Sequence, residues 1–370
     1  MSGYVRLLMT TDAIGGVWQY SLDLCRHLTR RRVEVILAVL GPAPDAYQRR
    51  TAGAIGRVSL VEIEGELDWL APDAASLADS AGRLCRLARE RGVGLVHLNA
   101  PALNACVDFP VPVVAVSHSC LGTWWDAVRS GPLPPEFAWR NALHAKGLRR
   151  AQIVVCPSRS FAESTAMCHQ LERTPRIVLN GRSPLPLPRG AMHDFALTAG
   201  RLWDVGKDVA TLDRAAAHLG IPFRAAGRTR GENGEQQHFA NLSLLGQLDE
   251  AGLARMLAAR PVFASAALYE PFGLAVLEAA TAGCPLVLSD IPTYRELWND
   301  VATFLPPGDD RGFARAIDTL IGDARRRIER GEAARRRARQ YSTRAMGYSM
   351  IGLYAGLLRD PASPRARAAA

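Results

Sequence analysis

Lysine is almost missing from this chain. Only Lys146 and Lys207 are lysines among its 45 Lys+Arg positions, so arginine carries nearly all the positive charge of a 370-residue sequence with net charge +9. Arginine this abundant beside many alanines reads as compositional bias. The arginine runs at 30–32, 325–327 and 335–337 are expected on solvated helix faces, which argues against a nucleic-acid partner. The alternative is a basic face that attracts an anionic substrate or gives peripheral contact with a membrane surface. No apolar run reaches about 18 residues, so no membrane-spanning helix is expected. Seven scattered cysteines, at 25, 85, 106, 120, 156, 168 and 284, show neither a disulfide framework nor zinc-site spacing and point to a reducing, cytoplasmic setting. The opening stretch 4–9 reads as a strand rather than a secretory signal. There is no G-x-G-x-x-G, which counts against a nicotinamide dinucleotide.

A globular composition is present, 48% hydrophobic and 22% charged, and the length suits two domains with a core each. The first half alternates apolar strands, at 5–9, 33–39, 58–62, 94–98, 111–116 and 153–156, with helices at 16–31, 74–91, 136–150 and 160–170. That alternation predicts a parallel sheet covered on both faces. Asn180-Gly181 turns the chain, and the proline-rich stretch 183–193 breaks every regular element and marks a linker. The second half restarts with strands at 195–199, 223–226, 242–245, 262–266, 286–288 and 303–305. Helices at 311–321, 325–339 and 343–358 follow, and the stretch from Pro361 is expected to be disordered.

The chemistry concentrates between Tyr269 and Gly283. Pro271 suits the first position of a helix, and Gly273 lets backbone approach a ligand, so the N–H groups of Phe272, Gly273 and Leu274 can face an anion. Glu278, about a turn and a half on, can accept from neighbouring hydroxyls such as those of a ribose, and Glu270 stays at the mouth. Eight helical residues at ~1.5 Å each place these carboxylates about 10 Å apart, too far for the ~5 Å pair of a retaining glycosidase. A capped amphipathic helix with solvated glutamates is the bland alternative. Gly15 and Gly16, after the first strand, look like a second lip of the site, although any tight strand-to-helix turn uses such a pair. His118 ends another strand, where it can donate to a sugar or simply be a satisfied loop histidine. The stretch 121–139, with Trp124, Trp125, Phe137 and Trp139, reads as a loop that either packs on the core or offers flat rings to an acceptor. Arg201 and Lys207 flank a loop that opens a helix, a place to offset a diphosphate or to carry two surface cations.

In order along the chain, Gly15-Gly16, His118, Asn180-Gly181, Gly200-Arg201 with Lys207, Gly246, and Glu270-Pro271-Phe272-Gly273 with Glu278 resemble the retaining GT-B-fold glycosyltransferases of family four. The resemblance implies two Rossmann-like α/β domains with parallel sheets facing across a cleft. It implies an acceptor domain at 1–183, a linker at 184–193, a donor domain at 194–340, a helix at 341–358 crossing back to the first domain, and a tail at 359–370. It further implies a nucleotide diphosphate sugar, UDP- or GDP-linked, as hexosyl donor, with no cofactor and no metal. No D-x-D pair precedes the site, in keeping with that. By carry-over, Arg201 and Lys207 bind the diphosphate and Glu278 the ribose. Glu270 and the backbone of Phe272, Gly273 and Leu274 bind the sugar and phosphates, and Gly246 and Leu248 flank the base. Gly15 and Gly16 approach the diphosphate, and His118 faces the sugar. The catalytic set is thus His118, Glu270, Arg201 and Lys207.

Asp12 is the candidate for orienting the acceptor, and Trp18, Trp124 and Trp125 suggest a subgroup with its own acceptor, whether a sugar, a lipid-linked sugar or a small molecule. One departure stands out. An aliphatic residue and Asp commonly follow Asn-Gly in the family, whereas Arg182-Ser183 follow here, outside the expected chemistry. A non-hydrolysing nucleotide-sugar epimerase and a non-catalytic nucleotide-sugar-binding subunit are the rivals.

Overall fold

The computed structural model describes residues 5–359, so the tail from Pro361 lies outside the described residues. The chain divides into two compact units. The first comprises the described residues up to Asp126, Ser130–Gly181 and the described residues from Thr343 on, and the second is Arg182–Ser342 with Ala127–Arg129.

The first unit runs β1 (Val5–Thr11), α1 (Gly16–Leu28), β2 (Val33–Val39), α2 (Ala46–Gly53), β3 (Val58–Glu62), α3 (Ala74–Glu90), β4 (Leu95–Leu98), β5 (Val113–Val116), α4 (Leu121–Val128), α5 (Ala138–Arg150), β6 (Ile153–Cys156), α6 (Arg159–Cys168) and β7 (Arg176–Ile177). All seven strands pair in parallel, in the order β3-β2-β1-β4-β5-β6-β7. Successive side chains of a strand point to opposite faces, and both faces are apolar here. Leu7 and Met9 of β1 join a core with Trp18, Leu22 and Leu24 of α1, while Leu8 joins a second core with Leu77, Leu84 and Leu103.

The second unit runs β8 (Ala196–Ala199), α7 (Val209–Ala216), β9 (Phe223–Ala226), β10 (Ser243–Gly246), α8 (Glu250–Ala258), β11 (Val262–Ser265), α9 (Leu274–Thr281), β12 (Leu286–Ser289), α10 (Pro292–Trp298), β13 (Ala302–Leu305), α11 (Asp310–Gly322) and α12 (Ala324–Ala338). Its six parallel strands have the order β10-β9-β8-β11-β12-β13, over a core that includes Leu212, Phe223, Val262, Val287 and Phe313. A last helix, α13 (Thr343–Arg359), belongs to the first unit, where Met346, Met350 and Tyr354 enter the core beside α1.

Both sheets share a 3-2-1-4-5-6 strand order. The order reverses between β1 and β4 in one unit and between β8 and β11 in the other, and in open parallel sheets a ligand crevice forms at the carboxyl ends of such a pair. The residues after Thr11, Leu98, Ala199 and Ser265 therefore occupy the favoured positions.

Three expectations about local structure are corrected. The aromatic stretch 121–139 is not a continuous loop, because Leu121–Val128 is helical and Phe137 leads directly into α5. Pro271 does not start its helix: α9 begins at Leu274, capped by Gly273 in the left-handed region. The arginine run at 325–327 is not wholly solvated, since Arg327 is buried and donates to Asp194 Oδ1 and to the carbonyls of His193 and Arg260. A guanidinium with several donors can be buried where backbone carbonyls and a carboxylate converge to meet it.

Candidate active site

In the second unit the site begins where β8 ends. Gly200 must be met by bare backbone, because a Cβ on neighbouring Gly227 would fall 1.8 Å from the Gly200 carbonyl oxygen. Asp204 then folds the following turn: one carboxylate oxygen accepts from Gly206 N at 2.9 Å and the other from Arg201 at 3.1 Å. The Gly206 carbonyl in turn accepts from Leu268 N and Tyr269 N, at 2.9 and 3.1 Å, which ties the loop after β8 to the loop after β11.

That tie brings together two residues that the sequence presents separately. Lys207 Nζ lies 2.7 Å from Glu270 Oε2, and the two side chains are 19% and 18% exposed. Arg201 is more open, at 44%, with its guanidinium over the Trp203 ring. Gly273, at φ +91°, turns the chain into α9, and a Cβ there would stand 3.2 Å from the Tyr294 ring. Phe272 is buried edge-on against Tyr341. The first N–H groups of α9 have no intrahelical acceptor, the general feature that lets a helix start receive an anion.

Glu278, on α9, is not solvated. Arg182 Nε donates to Glu278 Oε1 at 2.7 Å and Arg182 Nη2 to Glu250 Oε1 at 2.7 Å, with the Arg182 side chain 5% exposed. The Arg182 that stood outside the expected chemistry thus holds the carboxylate expected to read a ribose. Only the break in the Asn-Gly motif signalled it, and nothing in the sequence singled out Glu250. Gly246 is exposed at φ +66° and Leu248 half-buried, in the turn that Asp249 caps into α8.

In the first unit, Gly15 and Gly16 are exposed at the start of α1. Asp12 shapes this turn, accepting from Ile14 N at 2.9 Å and Gly15 N at 3.3 Å through Oδ1. Trp18 is 3% exposed within the core, which removes it from the acceptor candidates. Trp124 and Trp125 are half-buried on α4, their ring centroids 6.4 Å apart, and Trp125 Nε1 donates to the Gly131 carbonyl.

His118 is held by a residue the sequence did not single out. Asn99, at the carboxyl end of β4, donates through Nδ2 to Thr10 O and Ser21 Oγ, which orients its Oδ1 to accept at 2.9 Å from Nε2 of both His118 and His97. Both rings then carry their proton on Nε2, and His97 Nδ1 accepts from the Tyr354 hydroxyl of α13 at 2.6 Å. Burial, and then His97, push the pKa of His118 down to about 3, and burial holds His97 near 4. His118 is therefore neutral and offers Nδ1 as an acceptor, not the donor that was expected. A polar residue directly after a strand at the sheet's reversal point is the signal that could have found Asn99.

Two family models match the chain. The one described as Glycosyltransferase Family 4 covers residues 14–183, and the one described as Glycosyl transferases group 1 covers 207–337. This protein belongs to the family 4 glycosyltransferases, and its two units form a GT-B fold. A phosphatidyl-myo-inositol mannosyltransferase of Mycobacterium leprae is 28% identical over 340 residues, 84% of each chain. Among solved structures, Anabaena Alr3699/HepE in complex with UDP-glucose superposes with a TM-score of 0.74 at 18% identity, over 96% of this chain and 100% of that one. Sucrose-phosphate synthase from Thermosynechococcus elongatus gives 0.73 at 17% identity, over 95% and 99%. At such identities the structural likeness speaks for the fold. The family and this relative support glycosyl transfer as the reaction class. Among the described residues no helix is long and apolar enough to cross a membrane.

Proposed function

We propose that the protein is a retaining glycosyltransferase that moves a hexosyl unit from a UDP- or GDP-sugar to a hydroxyl of a sugar or lipid-linked sugar, without a divalent metal. The observation that carries this reading is the Lys207–Glu270 pair beside the Gly273-capped start of α9. The pair poises a cation and a carboxylate next to free helix N–H groups. In the proposed complex the donor's diphosphate takes Lys207, Arg201 and the helix start as its counter-charges, and the freed Glu270 carboxylate accepts from the transferred sugar. These groups meet the charge that grows on the departing diphosphate. Glu278, oriented by Arg182, accepts from the ribose.

On this reading the acceptor oxygen attacks the anomeric carbon from the face the diphosphate leaves, and the departing phosphate oxygen takes the hydroxyl proton. Configuration is kept and no protein nucleophile is needed. From the first unit, Gly15 and Gly16 are assigned to the donor's phosphates and His118 Nδ1 to a hydroxyl of the sugar. The mannosyltransferase relative supports a lipid-linked acceptor.

A thermal-shift panel of UDP, GDP and ADP with their hexoses tests the donor. One base should raise the melting temperature, since ligand at 100 times Kd adds about 2.7 kcal/mol. With that donor, NMR should show a retained anomeric configuration in the product and a rate unchanged by EDTA. No shift with any nucleotide at millimolar concentration overturns the reading, and conversion of the donor without acceptor would favour the epimerase.

A further inference from the structure

Three elements of the first unit deliver sulfur and nitrogen ligands to one interior spot that glycosyl transfer does not use. Cys120 stands one residue before α4, His144 on α5, and Cys168 and His169 at the end of α6. Cys120 Sγ is 3.1 Å from His169 Nε2, and the ligand atoms of Cys120, His144 and His169, all buried, lie within 4.8 Å of one another. The Cys168 thiol hydrogen-bonds Cys120, and its Sγ sits so close to Gly122 that a Cβ there would be 2.6 Å away.

Cys120 Sγ also has Thr123 Oγ1 at 3.0 Å and accepts from Thr123 N at 3.4 Å, but the two imidazoles are less well served. His144 Nε2 has Ser117 Oγ at 3.4 Å, and His169 Nδ1 is buried with no partner among the described residues. Two imidazoles and two thiols brought together from three helices are instead the donor set of a tetrahedral site for a borderline-soft cation.

We propose that Cys120, His144, Cys168 and His169 bind one zinc-class divalent ion. At Zn–S of about 2.3 Å and Zn–N of about 2.0–2.1 Å, tetrahedral ligand atoms stand roughly 3.3–3.8 Å apart. The 3.1 Å between Cys120 and His169 and the 4.8 Å limit on the Cys120, His144 and His169 atoms bracket that range, and Cys168, bonded to Cys120, is the fourth ligand that a side-chain rotation would bring in. Asp68 Oδ2 stands 4.0 Å from His144 Nδ1, beyond hydrogen-bond range but near enough that a small movement on metal binding would give the carboxylate–imidazole bond such sites use and leave Nε2 for the metal. The thiols bind as thiolates, so two protons leave as the ion enters. A cavity of about 390 Å³ lined by Asn141, Ala145, Arg149, Cys168 and His169 supplies the entry path. Four protein ligands leave no open position, which makes the ion structural. It cross-links α5 and α6 to the segment that carries His118 two residues earlier. Sequence spacing hid the site because Cys120, His144 and the Cys168–His169 pair lie more than twenty residues from one another and only the packing of the elements that carry them joins them.

Cobalt titration of the reduced, chelator-stripped full chain, carrying no histidine tag, tests the proposal. One equivalent should give intense tetrahedral d–d bands with a thiolate-to-cobalt charge-transfer band. Zinc should abolish both bands and raise the melting temperature. Cys120→Ser, checked for folding by circular dichroism, should lose roughly 100-fold or more in affinity, and Asp68→Asn, which keeps all four ligands, roughly 10-fold. A weak octahedral spectrum in the wild-type protein would overturn the proposal whatever the variants do. So would a tetrahedral band that survives in Cys120→Ser.

Discussion

At the scale of single residues, the donor site is an arrangement of charges. Lys207 and Glu270 hold each other at 2.7 Å with about four-fifths of each side chain covered, so each is placed before any ligand arrives. Lys207→Ala and Glu270→Ala should each abolish transfer, measured as release of nucleoside diphosphate, while the circular dichroism spectrum stays that of the parent. Wild-type turnover in either variant would contradict the assignment. Arg182 is a different case, because it is more deeply buried and serves two carboxylates at once. Breaking a buried pair by removing one partner leaves the other charge uncompensated, so Arg182→Ala should cost about 3–5 kcal/mol in a denaturant titration. It should also raise KM for the donor, by releasing Glu278. Lys207, Glu270 and Glu278 were legible in the sequence as types at spacings. Arg182 was legible only as an anomaly, since no local pattern tells that an arginine at the end of one segment will reach a helix 96 positions on.

At the scale of elements, strands were the most readable feature. Runs such as 33–39 and 223–226 are mainly apolar, each interrupted by a single charge, Glu34 and Arg224, and both faces of a parallel sheet are covered. Helices with caps rather than long apolar stripes were harder. The α2 helix escaped notice although Asp45 and Gln48 form a capping box, and α8 and α10 escaped although Asp249 caps the one and Pro292 opens the other. The contact between β4 and α13 yields a pH prediction. His97 is buried neutral, with its pKa lowered from 6.5 to about 4, and it accepts from Tyr354. Because the folded value lies below the unfolded one, its contribution is fully present above pH 6.5 and is lost as pH falls from there towards 4. Unfolding takes up a proton across that window. Stability should therefore drop by up to ~1.4 kcal/mol per pH unit from this group, and His97→Gln should flatten the slope in chemical denaturation between pH 7 and 4.5.

At the scale of the molecule, the two units differ in how the chain builds them. The second is nearly one continuous stretch with its own core, so a fragment covering residues 182–342 should unfold as a single cooperative transition. The first needs the last helix, because Met346, Met350 and Tyr354 fill part of its core. A fragment ending at Gly181 should therefore melt far below the same fragment coexpressed with residues 343–359, as followed by circular dichroism. Equal melting temperatures would show the helix to be dispensable.

What the sequence determined unaided was the alternation of strands and helices, the proline-rich break, and the residue types at the ends of strands. All of these are local, because apolar periodicity and turn chemistry act over a few neighbouring positions. What only the tertiary structure decided was partnership: Lys207 with Glu270, Arg182 with Glu278 and Glu250, Asn99 with two histidines, and Cys120 with His144 and His169. Each joins residues that different elements carry, and which side chains meet depends on the register of parallel strands and on how helices pack across them.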